Sequence, residues 1–389
     1  MKTIVMTCRD RGPAQHLAEI AKGIQGSGLY QLVIHAQEPA LETFKKAGLT
    51  VNEVSVPYAL LDDAGAKKQL ADYAERIVST NPHLVIVGFS TTRDTLGIDE
   101  AVLEQYQGKA LVMQDAPDWY SPVVGRHHYL CTTADAVRSA VSKGYDASLV
   151  GSPKMQSYAS KDYAALANRF QQTHARAFSE NAPVLTFCGQ YLTEFPGYVG
   201  LIKSLAQAVA RTDAKLIYRA HPREWVRGTD IEITSNIFDR FLGTGAWIME
   251  SKDTPQDDSI AGSHAIVSYC SGSLIDAVHM NHYSDQALAV PIALMWDKDL
   301  NKDVGGTSGP IEPFEQMSQG RGIVVSDEKY LENAIREMAY EDHRHDYYRR
   351  MRGETHVIDN PVARALRVIA QTIPAHAPKH PVRPSLRMS

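Results

Sequence analysis

The feature that most constrains this chain is an alternation that runs through it twice. Apolar runs of three to six residues, the length of buried strands, are separated by stretches with apolar residues at helical spacing. In the first half the strand-like runs fall at 3–7, 31–35, 51–56, 83–87, 110–113, 129–132 and 148–150. Helical stretches at 12–26, 40–47, 67–80 and 98–106 lie between them. Leu17, Ile20, Ala21 and Ile24 share one face of the first, and the third stops before Asn81-Pro82, a breaker pair. Strands joined by crossover helices make a parallel sheet covered on both faces.

The pattern pauses after Gly151-Ser152-Pro153, where 161–179 is polar and helix-prone and Asn181-Ala182-Pro183 follows. It then restarts, with strands at 184–187, 215–218, 246–249, 265–268, 289–294 and 322–325. Helices are expected at 197–211, 235–241, 274–280, 327–340 and 361–372. The expected fold is α/β, two Rossmann-like doubly wound domains facing a cleft. Residues 1–155 form the first domain, 156–182 a linker helix, and 183–373 the second domain. The proline-rich, basic segment 374–389 has no apolar period and reads as a disordered tail whose charges offer a peripheral membrane contact.

Length agrees with two cores, since 389 residues exceed the span of one. A net charge of −5 excludes general nucleic-acid binding, which needs a basic surface. No apolar run reaches the roughly 18 residues of a membrane span. The first residues, MKTIVMTCRDRG, read as a strand rather than a signal peptide, so the cytoplasm is the expected location. Cys8, Cys131, Cys188 and Cys270 are too dispersed for a disulfide framework or zinc module and read as reduced thiols. The fifteen histidines form no HExxH or Cys/His cluster, and no metal is expected.

Open parallel sheets bind ligands beyond the carboxyl ends of their strands. That rule selects 8–16, 88–93 and 114–119 in the first domain, and Gly189-Gln190, 219–224 and 269–276 in the second. In SYCSGSLIDAVHM, 268–280, a strand runs through Ser271-Gly272-Ser273 into a helix. Exposed N–H groups, the helix dipole and two hydroxyls suit a phosphate, and an ordinary serine N-cap is the alternative. In YRAHPREW, 218–225, Pro222 holds His221 extended at a strand mouth. Arg219 and Arg223 could grip an anion there in fork geometry; a surface salt-bridge cluster is the alternative.

These motifs together resemble the GT-B superfamily, which includes nucleotide-sugar glycosyltransferases and the non-hydrolysing UDP-N-acetylglucosamine 2-epimerases. CTTADAVRSAVSKGYDASLVGSPKM, 131–155, looks like the passage that ends the N-terminal domain of that fold. VLTFCGQ, 184–190, looks like the first strand and Gly loop of its C-terminal domain. YRAHPRE is similar to the His-Pro motif of bacterial sialyltransferases, capsule Kdo transferases and glycerophosphate polymerases. SYCSGSLIDAV, with LAVPIAL after it, looks like their serine-rich phosphate turn, helix and next strand.

The resemblance implies that His221 hydrogen-bonds the nucleotide or leaving phosphate, as an imidazolium, and that Ser271, Gly272 and Ser273 hold that phosphate. Gly189, Gln190, Arg219 and Arg223 complete the nucleotide side. Asp276 stands where many relatives place a ribose-binding glutamate, and is one carbon shorter. The Glu-x7-Glu pattern of many retaining transferases is absent, which favours inversion or no transfer. The paired glutamates that follow the serines in the epimerases are also absent.

An inverting transferase needs a base for the acceptor hydroxyl, and the first domain offers Asp10, His16, Asp115 and Asp118. Asp115 and Asp118 are preferred as catalytic groups. Arg11, Gly12, His16 and Trp119 are assigned to the acceptor side. The Gly12-Pro13 turn is not a GxGxxG fingerprint. The expected activity is metal-independent, inverting glycosyl transfer, without further cofactor. The donor would be a CMP-, CDP-, UDP- or GDP-linked sugar, and the acceptor a glycan or small molecule. Two readings stay beside it. One is an epimerase or hydrolase using Glu224, Asp257 and Asp258 as acid and base; the other is a non-catalytic scaffold of the same fold.

Overall fold

The computed structural model describes residues 1–56, 59–60, 63–89, 95–115, 127–175, 182–243, 245–306 and 310–373. Contacts divide the chain into two units, Met1–Ser157 together with the segment from Val357 onward, and Tyr158–His356.

Unit 1 alternates strands and helices in the order β1 (Lys2–Cys8), α1 (Arg11–Ser27), β2 (Tyr30–Ala36), α2 (Ala40–Lys46), β3 (Asn52–Glu53), β4 (Ala59–Leu60) and α3 (Ala64–Ser79). It continues through β5 (Leu84–Phe89), β6 (Thr95–Leu96), α4 (Ile98–Gln105), β7 (Ala110–Gln114), β8 (His127–Cys131), α5 (Ala134–Ser142), β9 (Asp146–Leu149) and α6 (Pro153–Gln156). Among the described residues seven strands form one parallel sheet, β3-β2-β1-β5-β7-β8-β9, and β4 pairs with β6. The strands are almost wholly apolar because both faces are covered. Ile4, Met6, Leu84, Ile86 and Leu111 pack with α1 and α2 in one core, and Val5, Val85, Val87 and Val112 with α3, α4 and α5 in the other.

Unit 2 contains α7 (Tyr163–Thr173), β10 (Val184–Cys188), α8 (Pro196–Thr212), β11 (Lys215–Arg219), α9 (Pro222–Arg227), α10 (Thr229–Leu242), β12 (Trp247–Met249) and α11 (Gln256–Gly262). Then come β13 (Ala265–Ser268), α12 (Gly272–Tyr283), β14 (Val290–Leu294), α13 (Lys298–Gly305), β15 (Ile323–Val325), α14 (Leu331–Glu337) and α15 (Glu341–Glu354). Its parallel sheet runs β12-β11-β10-β13-β14-β15. Counted from β10, this is the 3-2-1-4-5-6 order of dinucleotide-binding folds, and the order reverses between β10 and β13.

The structure differs from the sequence reading in four places. The last helix, α16 (Pro361–Thr372), was expected in the second domain but packs in unit 1. Ala365 and Ile369 are fully buried there, and a Cβ on Gly23 of α1 would lie 2.8 Å from Val362 Cγ1. The segment expected as a linker belongs to unit 2 over 158–175, where Phe170 of α7 lies so close to Gly262 that a Cβ there would be 2.3 Å from its ring. Residues 222–227 form a short helix where a loop was expected, started by Pro222 at its first position. Residues 341–354 form a helix that apolar spacing does not betray, because only Tyr348 and Met351 are buried on it. No described helix is long and apolar enough to cross a membrane. The 374–389 tail, Asp118 and Trp119 lie outside the described residues.

Candidate functional site

The reversal between β10 and β13 places three strand ends side by side in unit 2, those of β10, β11 and β13. From β13 the chain passes through Tyr269 and Cys270 to Ser271, the N-cap of α12. Ser271 Oγ accepts the Ser273 N–H at 3.2 Å and lies 3.0 Å from Ser273 Oγ. Gly272 between them is exposed, and a Cβ there would meet nothing within 4 Å. The turn is stitched to β10, since Ser268 Oγ donates to the Cys188 carbonyl at 2.7 Å and Ser273 hydrogen-bonds the Cys188 thiol. Burial pushes that thiol up to about 11, so Cys188 stays protonated and serves packing.

The end of β11 is organised by His221 and Glu224. His221 is extended, with φ −64° and ψ 147°, as the following proline requires. Its Nδ1 accepts the Arg223 N–H at 3.1 Å, which fixes the ring in the tautomer carrying its proton on Nε2. With Nδ1 accepting, the donor of the ring is its Nε2–H. Glu224 is fully buried. Its Oε2 accepts the His221 N–H at 2.5 Å and its Oε1 accepts the Tyr218 hydroxyl at 2.8 Å. Burial, the largest effect, raises its pKa to about 7. A Cβ on Gly189 would lie 2.4 Å from Glu224 Oε2, which gives the glycine after β10 a packing reason. Gln190 follows, its N–H held by the Tyr198 hydroxyl at 2.7 Å.

The two arginines of YRAHPREW go separate ways. Arg219 Nη1 donates to Glu250 Oε2 at 2.5 Å and to the Thr254 carbonyl at 2.9 Å, and Ser259 Oγ donates to Glu250 Oε1 at 2.9 Å. Arg219 thus anchors the chain after β12 to the end of β11. Arg223 donates to the Tyr191 hydroxyl at 2.9 Å, with its guanidinium 4.8 Å from that ring's centre. The Tyr191 ring also lies 5.0 Å from the His221 ring. Asp276 is buried on α12, where Oδ2 accepts Gln256 Nε2 at 2.6 Å and Tyr158 is a further partner. Asp257 pairs with Lys161 at 2.6 Å and Asp258 with Arg169 at 2.8 Å.

In unit 1 the structure brings together Gly12, His16 and Asp115. The Asp115 carboxylate lies over the first turn of α1 so closely that a Cβ on Gly12 would be 2.0 Å from Oδ2. Its Oδ1 is 3.5 Å from His16 Nε2, while His16 Nδ1 faces Ser152 Oγ at 3.4 Å. Asp10 accepts from Arg9 Nε at 3.1 Å, and Arg9 Nη2 also pairs with Glu100 at 3.1 Å. Asp99 accepts from Thr7 Oγ1 at 2.6 Å and the Arg9 N–H at 3.0 Å. Burial raises the pKa of both Asp99 and Glu100. Arg11 opens α1 and is partly buried.

Sequence reasoning did not find Tyr191, Glu250, Arg9, Asp99 or Glu100. For Glu250 and Tyr191 a signal existed, since each stands just beyond a strand and the carboxyl-end rule reaches it. Asp99 and Glu100 fall in the first turn of α4, where acidic residues are common and carry no functional mark. Among the described residues no three His, Cys, Asp or Glu side chains are grouped to hold a metal ion.

The fold, two parallel sheets with flanking helices, is of the GT-B type. No protein-family model and no curated protein sequence matches the chain. Solved structures do. It is similar to a UDP-GlcNAc 2-epimerase from Neisseria meningitidis bound to UDP-GlcNAc, with TM-score 0.66, 13% identity, and 95% of this chain and 99% of that chain covered. It is similar to a glycosyltransferase from Rickettsia africae, with TM-score 0.60, 11% identity, and 96% and 99% covered. A third likeness is to Anabaena HepE in complex with UDP and glucose, with TM-score 0.62, 10% identity, and 95% and 100% covered.

Proposed function

We propose that this protein is an enzyme acting on a nucleotide-linked sugar, and that it is a metal-independent, inverting glycosyltransferase making a glycan, surface polysaccharide or small-molecule glycoside. The observation that carries this reading is the Ser271-Gly272-Ser273 turn opening α12 at the point where the strand order of unit 2 reverses, with the end of β10 between it and His221. An open glycine flanked by two hydroxyls, with a helix dipole behind it, offers donors to a phosphate. As the glycosidic bond breaks, the departing phosphate gains charge. The hydroxyls of Ser271 and Ser273 and the Nε2–H of His221 are preorganised to meet it. Gly189 and Gln190 line the approach from β10, and Arg223 with Tyr191 flanks His221. Arg219 serves by holding the loop after β12, and Asp276 by fixing the first turns of α12.

Asp115 is the proposed base for the acceptor hydroxyl, oriented by His16 and by the close approach that Gly12 permits. Asp118 is its alternate, and Arg11 and Trp119 complete the proposed acceptor side. Of the CMP, CDP, UDP and GDP donor classes, UDP is the first to test because neighbours of similar fold were solved with UDP or UDP-GlcNAc.

Epimerisation is the second reading, favoured by the names of several structural neighbours. The carboxylates available for it in unit 2 support it poorly, because Glu224 is buried and Asp257 and Asp258 are held by Lys161 and Arg169.

Titrating CMP, CDP, UDP and GDP by calorimetry tests the nucleotide site. At least one should bind, and His221→Ala and Ser271→Ala should each weaken it about tenfold, the worth of one charge-assisted hydrogen bond. Binding of none of the four overturns both enzyme readings. Incubating the donor without acceptor separates them: an accumulating epimer or free sugar overturns transfer.

A further inference from the structure

Glu224 is the one group at the proposed phosphate site whose chemistry is not used by the reading above. An ionised carboxylate bonded to the His221 N–H opposes an anion arriving at His221, so its place there needs a cause. Its two oxygens face different partners. Oε2 takes the His221 N–H, and Oε1 takes the Tyr218 hydroxyl. The first bond sets where the imidazole stands. The second can reverse: a proton on Oε1 is donated to Tyr218 Oη, whose own proton turns to the Thr234 hydroxyl beside it. Both protonation states therefore keep the His221 bond.

The groups facing Glu224 come from four elements. They are Tyr218 on β11, Tyr198 on α8, Asp230 on α10, and His221 at the start of α9. Asp230 accepts from the Thr193 hydroxyl and raises the Glu224 pKa further. No cation is paired with Glu224 among the described residues; Arg219 at the same strand end is committed to Glu250. On the ligand side, Gly189 brings Glu224 within contact of the end of β10, whose last residue, Cys188, is bonded to Ser268 and Ser273. Two residues, Gly189 and Cys188, link the carboxylate to Ser273 of the serine turn.

We propose that Glu224 is a positioning residue for His221 that also couples a proton to phosphate binding, so that the site takes up a proton when a nucleotide arrives. The inference rests on the nucleotide reading of the serine turn. Its pKa of about 7 puts the proton where a nearby phosphate can move it. An arriving phosphate disfavours the ionised carboxylate and raises that pKa again. A bound-state value about one unit higher makes binding about fivefold tighter at pH 6 than at pH 8.

Glu224→Gln keeps an acceptor for the His221 N–H and donates to Tyr218 as the protonated acid does, without a charge. UDP is titrated by calorimetry into the full-length protein and this variant from pH 6 to 8, in two buffers of different ionisation enthalpy. The difference between the two proteins removes the titration of UDP itself. The expected result is that the variant binds as the wild type does at pH 6 and about fivefold more tightly than it at pH 8, and that the wild type takes up more protons than the variant between pH 7 and 8. Equal pH dependence and equal proton uptake in both overturns the proposal while leaving the nucleotide site standing. Absence of UDP binding by either protein at every pH, with CMP, CDP and GDP also silent, overturns the nucleotide reading and the proposal with it. Glu224→Leu separates anchoring from charge: it lacks the ionisable group but also the His221 anchor, and should bind more weakly than Glu224→Gln at every pH. Equal binding by Leu and Gln overturns the positioning role.

Discussion

Single residues at the strand ends carry most of the chemistry, and the structure assigns them unequal work. Arg219 and Glu250 are the sharpest case. The Glu250 side chain is fully buried and its ion pair with Arg219 ties two loops together. Removing one partner leaves the other charge buried and uncompensated. Glu250→Ala should therefore lower stability by about 3 kcal/mol, read by urea denaturation. The pH dependence of folding offers a check on Glu224 that needs no ligand. Its folded-state pKa of about 7 stands above the ordinary 4.5, so burial penalises the ionised form. Its stabilising contribution is full below pH 4.5, falls as pH rises to 7, and is constant beyond. Across that window the loss is about 3 kcal/mol relative to Glu224→Gln, which lacks the group. Melting temperatures of the two proteins should converge toward acid and diverge toward neutral pH, with the wild type the lower. Parallel curves would show that the carboxylate titrates as in water.

At the scale of elements, what was legible in the sequence was what repeats. Apolar runs such as LVIVGF and VLTFC announce buried parallel strands, and the interleaved periodic stretches announce their crossover helices. The serine turn was readable because its residue types and its place before a helix point to the same geometry. Short or polar elements were not readable. The helix α9 is six residues long, and α15 buries only Tyr348 and Met351, so neither leaves a periodic trace. Partners were the other loss. That Arg219 meets Glu250, or that Asp115 lies on Gly12, depends on contacts across 31 and 103 residues of chain that no local pattern encodes. Gly12 was singled out for ligand approach; the structure places the Asp115 carboxylate beside it. Gly12→Ala should displace Asp115, and on the proposed reading it lowers turnover with little change in nucleotide affinity, which activity assays beside calorimetry would resolve.

At the scale of the whole molecule, unit 2 is one unbroken stretch of chain and unit 1 is not. The fragment 158–356 should fold alone and melt cooperatively by circular dichroism. The fragment 1–157 lacks α16, exposes the face of α1 around Gly23, and should be aggregated or only marginally folded. Adding a peptide of residues 357–373 should rescue it, because Ala365 and Ile369 supply the missing core. This arrangement sets a timetable during synthesis. A ribosome adds about 5–20 residues each second, so the bare face of α1 emerges about 17–70 s before the helix that covers it. The second unit has completed itself in the interval. The first-made half of this protein is therefore the last to be finished, and nascent chains broken off near residue 357 should be preferred clients of chaperones and proteases.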